Sequence, residues 1–152
     1  MTPYERLAEL GLTLPAVSRP LAAYLPAVRS GSLVWTSGQL PIVDGALVAT
    51  GKVGAEVDLA QASEMARLCA LNALAAIAAE VGDLAAVRRI VKVVGYVASA
   101  PSFTGLPHVV NGASELLAEV FGAAGAHARS SVGVAVLPLD APVEIEVVAE
   151  VD

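Results

Sequence analysis

Residues 128–150 constrain the fold most: they hold two runs of period-two alternation separated by a proline-bounded turn. In the first run Val132, Val134 and Val136 share one face, because successive side chains of a strand point to opposite sides. Arg129, Ser131, Gly133 and Ala135 share the other. A guanidinium flanked only by small residues leaves an electropositive space above that face. In the second run Val143, Ile145, Val147 and Ala149 alternate with Glu144, Glu146, Val148 and Glu150. Pro138 and Pro142 bound the turn, as suits a strand boundary but not a central strand. A simple hairpin centred on Leu139-Asp140 sets Arg129 opposite Glu150, so hairpin pairing does not bring Arg129 to Glu144. If the two share one site, a subunit interface is what could join them. Two readings fit the spacing. One is a polar sheet face with surface charges, which are common. The other is a carboxylate-binding arginine served by a general acid/base glutamate.

The chain suits one domain, residues 1–152, with residues 1–23 as an N-terminal extension. Thr2-Pro3 followed by Glu5 predicts a capping box and a short helix ending at Gly11, docked by Leu7 and Leu10. Residues 12–23, with Pro15 and Pro20, read as an extended loop. Strands are expected from Tyr24 to Arg29 and Leu33 to Ser37, with a minor one from Ala46 to Ala49. A Gly such as Gly38 at a strand end either lets a backbone N–H approach a ligand or merely makes a bulge. Asp58 with Gln61 caps a helix that runs to Val81 and stops at Gly82. Ile90 to Ser99 is β-branched and apolar, hence a central strand. A second helix region starts at Pro101-Ser102-Phe103-Thr104 and continues from Pro107 to Phe121, and Gly122 to Gly125 reads as a flexible link. Strands and helices in this order predict an α+β fold, a mixed sheet packed by two helices on one face.

Apolar residues make up 56% of the chain and charged ones 16%, so much apolar surface must be covered, and coverage between subunits is favoured. The net charge of −6 argues against nucleic acid as a partner, since that affinity comes from Lys and Arg neutralising phosphates. The apolar run near Leu68 to Ala79 is too short to span a bilayer, so no membrane partner is expected. One cysteine, Cys69, permits no intrachain disulfide and reads as a small core residue. With no signal-peptide pattern, a cytoplasmic location is expected. Two histidines, His108 and His127, are too few for a metal site, and no cofactor is expected. His127 borders the cleft or, the favoured reading, lies on the surface. Gly51-Lys52-Val53-Gly54 lacks the phosphate-loop spacing.

Two motifs in order resemble one family. Arg-Ser-x-Val-x-Val-x-x-Leu-Pro (129–138) followed by Val-Glu-Ile-Glu (143–146) is similar to the C-terminal signature of the Rid (YjgF-like) family of reactive-intermediate imine deaminases. Upstream, Tyr24 and Ser37-Gly38-Gln39-Leu40-Pro41 match its second signature. The resemblance runs from about Tyr24 to the C-terminus. It implies a chorismate-mutase-like fold (bacillus type), a homotrimer and clefts between subunits. By matching position it implies catalytic Arg129, Glu144 and Tyr24, and substrate-binding Ser37, Gly38, Asn111 and Ser131. Asn111 is offset by one residue from the family's Asn. The chain departs in two ways. Ser131 stands where many members have Cys, and Ser114 and Leu117 stand where aromatic residues are common, so the pocket wall is altered.

The chemistry follows from these groups. A planar guanidinium matches a carboxylate bidentately. A glutamate acting through water suits general base and then acid work. The reading is hydrolysis of 2-imino acids, with a small-molecule carboxylate as substrate. The alternatives are a non-catalytic trimer that binds small carboxylates and, less favoured, an endoribonuclease. Chorismate mutase chemistry rests on fold analogy alone.

Overall fold

The computed structural model describes residues 1–17 and 23–152. Pro20, expected in the extended loop, lies outside them. The elements are α1 (Pro3–Glu9), β1 (Ala27–Ser30), β2 (Leu33–Thr36), β3 (Ile42–Val43), β4 (Ala46–Leu47), α2 (Leu59–Val81), β5 (Val87–Ala98), α3 (Leu106–Phe121), β6 (Ala128–Val134) and β7 (Val143–Val151). Three 3₁₀ turns, Leu84–Ala86, Gly122–Gly125 and Pro138–Asp140, complete the order.

Five strands form a mixed sheet in the order β1-β2-β7-β5-β6; β3 and β4 form a separate ribbon. All neighbours are antiparallel except β5 and β6, which run parallel. The expected hairpin is therefore absent. A helix lies between β5 and β6, and a strand–helix–strand crossover returns the chain parallel to the strand it left. With β6 on one edge of β5, β7 takes the other. The segment carrying Pro138 and Pro142 crosses from β6, past β5, to β7 instead of making a tight turn.

Both long helices lie on one face of the sheet. The core there is formed by Ile90, Val93 and Val97 of β5, Val143, Ile145 and Val147 of β7, Leu74 and Ile77 of α2, and Val110, Leu116 and Leu117 of α3. The α2 caps match the sequence signals: Asp58 accepts from Gln61 N, and Gly82 closes the helix at φ 86°. At 23 residues, α2 is longer than the apolar run inside it and meets the length and composition of a membrane-crossing helix. Two thirds of its most apolar window (67%) is buried in the fold, as in the core helix of a globular domain. Buried Asn72 donates to the carbonyls of Leu40 and Ile42, at 3.0 and 3.1 Å, and pins the segment leading into β3. Cys69 is fully buried, as a core residue.

Other expectations shift. The second helix starts at Leu106, not Pro101, because residues 101–105 form a turn and an extended stretch before it. β1 begins at Ala27, not Tyr24, because Pro26 has no N–H for the ladder; its carbonyl accepts from Ser37 N at 2.8 Å. Residues 122–125 are a packed 3₁₀ turn rather than a flexible link, with Gly125 buried against the Leu117 carbonyl. In α1 the Thr2–Glu5 capping box forms and Leu7 is buried, but Leu10 stays exposed. Tyr4 accepts from Leu84 N at 3.0 Å and Arg6 donates to the Glu119 carbonyl, so α1 joins the chain before β5 to the end of α3.

The two helices meet at Gly112, where an added Cβ would lie 1.9 Å from the Ser63 carbonyl oxygen of α2. Helix propensity alone favours Ala over Gly by about 1 kcal/mol. Here overpacking against backbone reverses the sign. Gly112→Ala is expected to destabilise by about 2–3 kcal/mol, lowering the urea midpoint at unchanged m-value. A stabilised Gly112→Ala would mean that the helices do not touch there.

Candidate active site

The sheet divides the expected site residues between its faces. Arg129 pairs with Val93 and Glu144 with Tyr96, three residues apart along β5 with no bulge between. An odd separation places side chains on opposite faces. Arg129 therefore faces α3, and Glu144 faces the side that no helix covers.

On the open face, Gln39 bridges to Ile145 by two backbone bonds of 2.7 and 3.0 Å, which carries Ser37 and Gly38 across β7. Gly38 then lies directly over Glu144: an added Cβ would meet the carboxyl group at 2.6–2.7 Å. This close approach requires Gly at position 38, and the chain also bulges there: Trp35 pairs with Val148 but Gln39 with Ile145, one residue more on this side than on β7. The Ser37 hydroxyl donates to the Leu25 carbonyl at 2.5 Å and so fixes the segment that carries Tyr24, a half-exposed side chain. Ser37 thus acts as a brace. Burial first, and then negative Glu146, raise the Glu144 pKa above the ordinary carboxylate range. Glu146 accepts from the Tyr96 hydroxyl at 3.0 Å. Burial pushes the Cys69 thiol well up, so Cys69 is no nucleophile.

On the helix face, Arg129 Nη1 donates to Asn111 Oδ1 at 2.8 Å and to Ser114 Oγ at 3.1 Å. Its Nη2 reaches the Pro107 carbonyl at 3.3 Å. Asn111, despite its one-residue offset, is therefore a direct partner of Arg129. The i, i+4, i+7 spacing of residues 107, 111 and 114 puts all three on one helix stripe. His127 is half-buried rather than on the surface: its Nδ1 lies 2.6 Å from the Gly125 carbonyl and its Nε2 2.9 Å from Ser114 Oγ. A carbonyl only accepts, so Nδ1 carries a proton and donates to it, while Nε2 shares the hydrogen bond with Ser114. A chain His127–Ser114–Arg129 then orients the guanidinium. From the sequence, Ser114 reads only as a lost aromatic position; its spacing to Asn111 is the one signal that marks it. Ser131 shares the Arg129 face, and its hydroxyl is buried without a hydrogen-bond partner among the described residues. No group of three or more His, Cys, Asp and Glu that could hold a metal occurs among those residues.

A family model described as "YjgF/chorismate mutase-like, putative endoribonuclease" matches residues 4–151. The Agrobacterium tumefaciens protein Atu1372, of unknown function, is 47% identical and superposes with a TM-score of 0.92, over 99% of this chain and 92% of that one. A Shewanella oneidensis protein called a putative endoribonuclease is 35% identical with a TM-score of 0.97, over 99% and 100%. Escherichia coli TdcF, solved with bound serine, is 27% identical with a TM-score of 0.65, over 92% and 96%.

The raised Glu144 pKa sets a pH dependence. A carboxyl whose folded pKa lies above its unfolded value, about 4.3, gives stability present below that value and lost as pH rises through the folded one. Glu144→Gln removes the loss. Urea melts should show Glu144→Gln gaining on the wild type between pH 4 and pH 7, by about 0.5 kcal/mol because the group remains partly wet. An equal difference at both pH values would reject the burial of this carboxyl.

Proposed function

The chain belongs to the YjgF/chorismate mutase-like family, and on that premise we propose that it hydrolyses reactive 2-imino acids to 2-oxo acids and ammonia in clefts between the subunits of a homotrimer. The observation that carries this reading is the placement of Arg129 and Glu144 on opposite faces of one sheet. Neither half is a complete site, and a neighbouring copy brings the missing half. The open sheet face supports such a copy. Trp35, Val28 and Val132 on it are 51%, 49% and 41% exposed, an apolar patch of the kind that marks an interaction surface.

Each group has a task. Arg129, held in place by Asn111 and Ser114, binds the imino acid carboxylate as a planar fork. Glu144 takes a proton from water as the water oxygen bonds to the imine carbon and the C=N π pair moves to nitrogen; it hands that proton to nitrogen, giving a carbinolamine. It then takes the hydroxyl proton as the C=O bond forms and delivers it to nitrogen as the C–N bond breaks, so that ammonia and the 2-oxo acid leave. A carboxyl whose pKa is raised by burial holds a transferred proton better than an ordinary carboxylate. The Gly38 backbone and the Tyr24 hydroxyl orient water and substrate. Bound serine in TdcF supports an amino-acid-like carboxylate ligand. The endoribonuclease name attached to the family model and to one relative sits poorly with 9 basic against 15 acidic residues.

The test is hydrolysis of imines made in situ by an amino-acid oxidase. Arg129→Ala and Glu144→Gln should each lose at least about 100-fold in rate, the loss of one proton-transfer or charge-binding group. Co-refolding the two variants separates one-chain from two-chain sites. If each cleft takes Arg129 from one subunit and Glu144 from the next, random mixing restores about a quarter of the wild-type rate in a cyclic trimer. No recovery from folded mixed trimers would sink the shared cleft. No turnover by the wild type would sink the deaminase and favour a small-carboxylate binding protein.

A further inference from the structure

Resting on the deaminase reading, we infer that the cleft at the C-terminal end of β6 holds the substrate side chain and selects 2-imino acids with a bulky apolar side chain, of leucine, methionine or phenylalanine type. The cleft measures about 420 Å³, within the range of small-molecule sites. Phe103, Leu106, Gly133 and Ala135 form its apolar wall, and Ser99 and Thr104 add two hydroxyls. Among the described residues no charged side chain lines it.

Three observations join this cleft to the guanidinium. Arg129, Ser131 and Gly133 succeed one another on one face of β6. Arg129 reaches the carbonyl of Pro107, the residue after Leu106. A Cβ on Gly133 would lie 3.4 Å from both the Leu106 side chain and Ser99 Oγ, so the cleft floor abuts the first residue of α3. Between cation and cleft lies the buried, unpartnered Ser131 hydroxyl. Buried polar groups are nearly always hydrogen-bonded, and an exception asks for a partner. A ligand with its carboxylate on Arg129 and its side chain over Gly133 passes this hydroxyl and supplies one. The wall is also pre-formed. Gly54 and Gly105 leave room for the Phe103 ring, since a Cβ on either would approach it to 3.2 and 3.1 Å.

The experiment compares the imines of leucine and alanine in wild type, Gly133→Leu and Ala135→Phe. Ala135 follows the last residue of β6, so its variant keeps the test valid if Gly133→Leu fails to fold. The wild type should favour the leucine imine. Either variant should lower the leucine-to-alanine ratio of kcat/KM at least about tenfold, the scale of excluding one or more methylenes from an apolar pocket. An unchanged ratio in a folded variant overturns the assignment. If the wild type turns over neither imine, the deaminase reading fails by itself. Calorimetric binding of 4-methyl-2-oxopentanoate against pyruvate then tests the cleft: the same loss of preference supports it, and equal affinities in wild type overturn it.

Discussion

The parallel pairing of β5 with β6 is the constraint on which the rest of the molecule depends. It is imposed by α3, which must lie against the sheet between two strands it connects. Gly95 makes that fit close, since a Cβ there would lie 2.3 Å from the Val110 side chain. Once β6 occupies one side of β5, β7 is displaced to the other, and Arg129 and Glu144 are separated by a strand and by a change of face.

The same constraint sorts the chemistry. The helix face near the sheet edge offers a cation whose orientation is fixed by neutral partners, Asn111, Ser114 and the Pro107 carbonyl. Among the described residues no carboxylate pairs with it. The open face offers a carboxyl made less acidic by burial and by Glu146.

Helix α1 of the N-terminal extension belongs to the core. Leu7 is buried, and Tyr4 and Arg6 tie α1 to the segment before β5 and to the end of α3. The Agrobacterium and Shewanella relatives match 99% of this chain at TM-scores of 0.92 and 0.97, whereas TdcF matches 92% at 0.65. The chain therefore sits structurally nearer to the first two, whose full-length matches take in this extension.

Local signals were legible in the sequence because they act over a few residues. Asp58 with Gln61 and Gly82 framed α2, Thr2 with Glu5 framed α1, and the alternation of residues 143–150 assigned the inward row of β7 correctly. The α+β class and the family follow from such signals in order. The β6–β7 partnership did not, because a strand's alternation says which residues share a face and nothing about which edge it meets. Asn111 and Ser114 reach Arg129 only because α3 docks at one particular rotation, and His127 joins them through a turn that reads as flexible glycine. Spacing determined the elements and their faces; tertiary packing alone decided which faces meet, since pairing and helix docking depend on contacts between residues far apart in the chain.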